Sequence, residues 1–316
     1  MENDSAISSK AGFLNSIRLG VGAMAWGDRV VWQYGRSHGD QDVREAFQTS
    51  LAEGVAFIDT AEIYGAGRSE RLVGQLTQEA GQPALVATKF FPMPWRLSAG
   101  SILAALRASL ERLRRGSVDL YQIHWPSPLL SVDRMMDGLR ACVEAGLARA
   151  VGVSNFDQSL TLRAYSALAR YNIQLASNQV HYSLLNRTVE KNGLLQRCAE
   201  LGIRVIAYSP LEMGLLTGKY GPENPPPGNR AVRSLHILPR IPPLLKLMTE
   251  IGQDHGGKSN SQVALNWLIC KGALPIPGAK NADQAAQNAA ALGWSLSEEE
   301  VAKLDAMSDE VLGHRT

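Results

Sequence analysis

Residues 84–124 read ALVATKFFPMPWRLSAGSILAALRASLERLRRGSVDLYQIH, and this stretch decides the fold. Its two ends, ALVATK (84–89) and VDLYQIH (118–124), are short apolar runs with little polar alternation, the pattern of buried parallel strands. Between them Leu103, Leu106, Leu110 and Leu113 follow a 3-4-3 helical spacing. Ser98 is placed to cap that helix and Gly116 to stop it. Strand, helix and strand in this order form one parallel βαβ unit.

The same unit recurs along the chain. Further strand candidates are IRLGVG (17–22), VAFID (55–59), ARAVGVS (148–154), LASNQV (175–180), IRVIAYS (203–209) and ALPIPG (273–278). VEKNGLLQRCAELG (189–202) repeats the helix design, with Leu194, Leu195, Cys198 and Leu201 on one side and Gly202 as its end. Eight alternating units favour a closed (β/α)8 TIM barrel, an α/β fold, over an open doubly wound sheet. We expect one domain over residues 1–316. The rhythm breaks at 218–243, after the seventh strand, where seven prolines (222, 225, 226, 227, 239, 242 and 243) mark a long loop. Loops of that length are usually functional or disordered, and in a barrel this one sits on the face where active sites are built. Ser297 and Glu300 form a capping box before a last amphipathic helix.

Composition narrows the class. The 316 residues are 45% apolar and 20% charged, and 32 Lys+Arg against 30 Asp+Glu give a formal charge of +2. That near-neutral balance argues against a nucleic-acid partner. No run of about 18 apolar residues is present, so no membrane span is expected. Cys142, Cys198 and Cys270 are far apart and form no C-x-x-C pair, which argues against disulfides and structural zinc. No metal is expected. The opening MENDSAISSK is unlike a secretory signal. A cytoplasmic location is expected, with a plastid location after loss of a transit peptide as the alternative. No helix carries an apolar patch that would set an oligomeric state.

Several motifs fail on spacing. Gly20-Val-Gly22 lacks the third glycine of a dinucleotide fingerprint, and GLLTGKY (214–220) puts Tyr220 where a phosphate loop needs Ser or Thr. Neither H-E-x-x-H nor G-x-S-x-G occurs. What remains is a set of polar groups at strand ends: Asp59 closing VAFID, Tyr64 five residues on, Lys89 ending ALVATK and His124 ending VDLYQIH. Singly, Asp59 could cap a helix, Tyr64 could be a packing residue and His124 a satisfied core histidine. Together they converge on one barrel mouth. Their chemistry suits carbonyl reduction, in which hydride arrival creates an alkoxide that must be protonated or stabilised. A tyrosine hydroxyl titrating near about 10 needs an ammonium beside it to act near neutrality. Lys89 can supply one, held by Asp59, and His124 can orient the carbonyl oxygen.

FIDTAEIYGAGRSE (57–70), ALVATKF (84–90), DLYQIHWP (119–126), VGVSNF (151–156), YSPLEMGLLTGKY (208–220) and PIPGAKNADQAAQN (275–288) resemble, in order, the signatures of the aldo-keto reductases. The resemblance runs from about residue 17 to residue 290. It implies a barrel that binds NADPH in extended form, with Tyr64 as proton donor, Lys89 and Asp59 as its tuning pair and His124 orienting the carbonyl. It further implies that Ser154, Asn155 and Gln179 hold the nicotinamide carboxamide and that Tyr208 stacks on the ring. Ser209, Leu211 and Gly214 would follow the pyrophosphate. Lys219 and Arg230 would close over it with the 218–243 loop. Gly278, Lys280, Gln284, Gln287 and Asn288 match the adenosine-end motif, with Gln287 standing where the family often has Glu. A cationic Lys280 favours the 2′-phosphate of NADPH over NADH; the alternative reading is a solvated loop lysine.

Gly22, Ala23 and Met24 fall at the first strand's cofactor edge, where Ala23 lacks the family's usual hydroxyl and Met24 replaces a larger residue. Trp26, Trp95 and Trp125 lie in or beside strand-end loops and either line an apolar substrate pocket or pack beneath those loops. The Pro-rich loop resembles the branch holding pyridoxal-reductase-like enzymes of plants and bacteria and potassium-channel β subunits. The expected activity is NADPH-dependent reduction of aldehydes, methylglyoxal-like small carbonyls included. The alternatives are a dedicated pyridoxal reductase and a nucleotide-sensing regulatory subunit with slow turnover.

Overall fold

The computed structural model describes residues 12–227, 232 and 234–313. Eight strands lie in sequence order in one parallel sheet: β1 (Val21–Gly22), β2 (Phe57–Asp59), β3 (Leu85–Phe90), β4 (Val118–Ile123), β5 (Ala148–Ser154), β6 (Leu175–His181), β7 (Arg204–Tyr208) and β8 (Leu274–Pro275). Each overlaps one of the eight apolar runs. Closure runs through backbone bonds, with Gly20 N donating to Pro275 O at 3.0 Å and Gly22 N to Pro277 O at 2.9 Å. Glycine is required at this seam, because a Cβ at Gly22 would fall 2.8 Å from Ile276 O and one at Gly20 only 2.6 Å from Phe57 Cδ1. The chain is a (β/α)8 barrel.

The surrounding helices are α1 (Asp40–Ala52), α2 (Arg68–Glu79), α3 (Ala99–Leu113), α4 (Val132–Glu144), α5 (Gln158–Ala169), α6 (Leu194–Glu200), α7 (Pro242–Asp254), α8 (Asn260–Cys270), α9 (Ala282–Ala289) and α10 (Glu298–Leu312). Ser98 caps α3 by accepting from Ser101 N. The stop is not Gly116: α3 ends two residues earlier, where Arg114 turns left-handed at φ 54°. The 189–202 pattern is likewise not one helix. Gly193, at φ 75°, separates the turn Thr188–Lys191 from α6. The Ser297–Glu300 capping box opens α10 as expected.

Two apolar layers form. The larger fills the space between sheet and helices. The smaller lies inside the barrel, where Phe57, Ala87, Leu120, Ala150, Ile206 and Leu274 pack together with Leu14. Side chains alternate along a strand, so the inward residues two positions on form the next layer. Those residues are Asp59, Lys89 and Gln122, above a dry apolar floor, and Tyr208 follows Ile206 in the same way. The 218–243 segment departs from a plain loop at its end, since Ile237, Leu238 and Ile241 are buried in the outer core and Pro242 already begins α7. Residues 228–231 and 233 lie outside the described residues, Arg230 among them. Among the described residues, no helix is long and apolar enough to cross a membrane, and no His/Cys/Asp/Glu group could hold a metal. The three cysteines are unpaired.

Candidate active site

The upper interior layer is a hydrogen-bonded ionic centre. Lys89 Nζ on β3 donates to Asp59 Oδ2 on β2 at 2.5 Å and to Thr60 O at 2.8 Å, and both side chains are buried. Asp59 Oδ1 accepts from Gln179 Nε2 at 2.8 Å and from Gln122 Nε2 at 3.4 Å. Ser177 Oγ donates to Gln122 Oε1 at 3.2 Å. A buried pair persists only when its remaining donors and lone pairs are satisfied, and β4 and β6 do this here. Burial alone would discharge the Lys89 ammonium, but Asp59 and Tyr64 beside it push its pKa up, so it stays cationic.

Tyr64 stands over this centre. It opens a tight turn in which Gly65, Ala66 and Gly67 are all left-handed, and a Cβ at Gly65 would strike Gly27 O at 2.6 Å. Lys89 Nζ lies 5.0 Å from the Tyr64 ring centre. The His124 ring meets Tyr64 edge-on at 5.7 Å, and Phe91 meets His124 the same way at 5.6 Å. The structure therefore brings all four strand-end residues together. Burial raises the Tyr64 pKa more than the Lys89 charge lowers it, with Asp59 adding to the rise. The expected downward tuning is thus outweighed, and the phenol keeps its proton at neutral pH. Burial, with the Lys89 charge second, pulls the His124 pKa down to about 3, so its imidazole is neutral. His124 Nδ1 is buried without a hydrogen-bond partner.

A second array runs along the ends of β5 to β7. Asn155, left-handed at φ 61°, donates through Nδ2 to His124 O at 3.1 Å and to Ser154 Oγ at 3.0 Å. Its Oδ1 accepts from Tyr208 OH at 2.9 Å, and Ser154 Oγ donates to Gln179 O at 2.8 Å. Tyr208 stacks on His181 with ring centres 5.3 Å apart. His181 Nε2 is hydrogen-bonded to Glu212 Oε1 at 2.6 Å, and Glu212 also accepts from Ser183 Oγ at 2.5 Å. Beyond Tyr208, the residues Ser209, Glu212, Met213 and Gly214 all have positive φ. Within these turns Glu212 N donates to Ser209 O at 3.0 Å and Gly214 N to Leu211 O at 2.9 Å. A Cβ on Gly214 would come within 3.2 Å of Tyr220. Leu211 is half-buried and Lys219 exposed, its ammonium 5.6 Å from the Tyr220 ring centre.

The 275–288 motif folds as one turn entering α9. Asn288 Nδ2 donates to Gly278 O at 3.2 Å, and Lys280 N donates to Gln284 Oε1 at 3.0 Å. Gln287 is turned away toward α8, its Oε1 accepting from Gln262 Nε2 at 3.1 Å and Ser259 Oγ at 3.4 Å. The tryptophans separate. Trp26 is fully buried, donates to Ala279 O at 2.7 Å and packs edge-on against Phe47, so it does not line a pocket. Trp95 and Trp125 are 74% and 45% exposed, in the loops after β3 and β4. Met24 is exposed. Ala23 is buried, with its carbonyl accepting from Ser69 Oγ at 2.8 Å.

Two residues of the site, Gln122 and Phe91, escaped the sequence reading, and a third, Gln179, is expected from it only at the carboxamide. Gln122 lies two positions before His124 on the inward face of β4, a period-two signal that points it at Asp59. Gln179 turns its amide nitrogen to Asp59 and is a member of the ionic centre. Phe91 is fixed by its own N–H donating to Glu62 Oε1 at 2.6 Å, a bond between two loops that no local pattern announces.

The model of the Aldo/keto reductase family matches residues 18–309. The chain belongs to the aldo/keto reductase family. Among its relatives, the chloroplastic pyridoxal reductase of Arabidopsis thaliana is 40% identical over 315 residues, covering 95% of this chain and 86% of the relative. A glycerol dehydrogenase of Gluconobacter oxydans superposes with a TM-score of 0.80 at 28% identity, over 95% of this chain and 93% of that one. An aldo/keto reductase of Klebsiella pneumoniae, crystallised with NADP and acetate, superposes with a TM-score of 0.73 at 27% identity, over 92% and 91% of the two chains. As a member of this family the chain is an oxidoreductase.

Proposed function

We propose that this protein reduces aldehydes to alcohols with NADPH, Tyr64 giving the proton and His124 holding the carbonyl oxygen. The observation that carries the reading is the cationic Lys89, buried against Asp59 and 5.0 Å from the centre of the Tyr64 ring. A protonated phenol beside a fixed ammonium releases its proton when an alkoxide forms, because the ammonium stabilises the phenolate left behind. His124 is neutral and its Nδ1 is sealed, so Nε2 is the nitrogen that meets a carbonyl oxygen. Asp59, Gln122 and Gln179 keep Lys89 charged and in place.

The residues present fit NADP(H). Ser209, Leu211 and Gly214, on the turns that directly follow Tyr208, would hold the pyrophosphate. Ser154, Asn155 and Gln179 form a preorganised polar array for a carboxamide. Tyr208, backed by His181, offers a flat face. Lys280 meets the 2′-phosphate, with Gly278, Gln284 and Asn288 shaping its turn. Lys219, at the start of the 218–243 segment, would lie over the pyrophosphate; Arg230 falls outside the described residues. When bound, the nucleotide supplies the hydride. The NADP complex of the Klebsiella pneumoniae relative supports this assignment.

For the substrate we retain small reactive aldehydes, with Trp95 and Trp125 at the rim of the mouth. Pyridoxal is the second reading, favoured by 40% identity to the Arabidopsis thaliana pyridoxal reductase across 95% of the chain. The compartment we assign is the cytoplasm, with the plastid as the alternative supported by that chloroplastic relative. The test follows NADPH absorbance with methylglyoxal, 4-nitrobenzaldehyde and pyridoxal, beside NADH controls and Tyr64→Phe. Tyr64-dependent oxidation over many turnovers is expected, and the fastest aldehyde ranks the substrates. Tight NADPH binding with no turnover on any carbonyl overturns the reductase and points to a nucleotide-sensing subunit.

A further inference from the structure

The segment between β1 and α1 is folded against the 279–280 turn by two tryptophans. Trp26 Nε1 donates to Ala279 O at 2.7 Å. One residue further along that turn, Lys280 Nζ donates to Trp32 O at 3.3 Å and sits over the Trp32 ring, 5.2 Å from its centre. Trp32 is itself held by a local frame. Asp28 Oδ1 accepts from the backbone nitrogens of Val30 at 2.9 Å, Val31 at 2.7 Å and Trp32 at 3.3 Å. Ser37 Oγ donates to Trp32 O at 3.0 Å, and His38 Nε2 is hydrogen-bonded to Ala25 O at 2.9 Å.

We infer that Trp32 is the positioning residue for the Lys280 ammonium, and through it sets the preference for a nucleotide carrying a 2′-phosphate. The inference rests on the NADPH reading above. A lysine side chain is a point charge on a flexible four-carbon stem, and fixing it costs conformational entropy when it must meet an anion. The Trp32 ring face and carbonyl hold the ammonium before the ligand arrives, so less freedom is lost on binding. Both of these groups are neutral, so neither of them cancels the positive charge. A carboxylate in the same place would compete with the phosphate.

The experiment is calorimetric titration of NADPH and NADH into wild type, Trp32→Ala, Trp32→Phe, Lys280→Ala and the double variant Trp32→Ala/Lys280→Ala, with thermal unfolding to verify that each is folded. Trp32→Ala is expected to lower the NADPH-over-NADH affinity ratio about five- to thirty-fold, the size of one cation–π contact. Trp32→Phe should keep most of the ratio, because it keeps a ring face. The double variant should show no greater loss than Lys280→Ala alone, since Trp32 acts through Lys280. Equal weakening of both nucleotides by Trp32→Ala, or additive losses in the double variant, overturns the role of Trp32 and leaves the NADPH reading standing. A wild type that binds neither nucleotide overturns both.

Discussion

Gln179 and Asp59, 120 residues apart in the chain, are joined by one hydrogen bond of 2.8 Å from amide nitrogen to carboxylate. It ties β6 to β2 across the barrel and occupies the Asp59 oxygen that Lys89 does not use. Hydrogen bonds to charged groups contribute about 1.5–3 kcal/mol. Gln179→Ala should therefore lower unfolding stability in urea by about that amount. An unchanged midpoint and slope would show that Gln179 does not hold Asp59.

Asp59→Asn tests the ionic centre more severely. It leaves Lys89 buried without its counter-charge, a loss of about 3–5 kcal/mol where a pair is broken from one side. Lys89→Met together with Asp59→Asn should recover much of that stability but no turnover. Denaturation curves for the single and double variants give the coupling between the two charges.

Tyr64→Phe removes one oxygen and leaves the ring stacked edge-on against His124. Turnover should fall roughly 100- to 10,000-fold, the range for loss of a positioned proton donor, while NADPH affinity is unchanged. Steady-state kinetics beside equilibrium titration separates the two. Weakened nucleotide binding with retained turnover would sink the proton-donor role.

His124 gives a pH signature. Its pKa is held down at about 3, below the unfolded value of 6.5, so between those limits the unfolded chain binds a proton that the native protein does not. Stability therefore rises with pH through that window and is lost as pH falls from 6.5 toward 3. Subtracting the melting curve of His124→Gln from that of wild type should isolate this slope. A difference that is flat with pH would mean that the imidazole is not desolvated in the native protein.

Gly152 is a packing requirement of the same centre. A Cβ there would lie 2.1 Å from Ser177 Oγ, the hydroxyl that holds Gln122. Gly152→Ala should cost about 1–3 kcal/mol as overpacking. Ser177→Ala added to it should return part of the loss by removing the clashing oxygen. Thermal unfolding of wild type and the two variants checks the sign.

The sequence by itself determined the barrel and the four residues at its mouth. Buried parallel strands are apolar on both faces, and a polar residue at the end of such a run stands out, as Asp59, Lys89 and His124 do. Helix edges were legible where a side chain makes the cap, at Ser98 and Ser297, and misread where backbone geometry ends the helix at Arg114 or breaks it at Gly193. Only the tertiary structure decided which polar groups share a bond. Gln122 and Gln179 reach Asp59 from strands far off in the chain, and Trp26 leaves the pocket for a bond to Ala279 across 253 residues. It also decided the sign of the Tyr64 shift, because desolvation depends on everything packed around the ring, while the sequence shows only that a lysine is available. Periodicity reports which face of an element is buried, and closure of the barrel sets what that face meets.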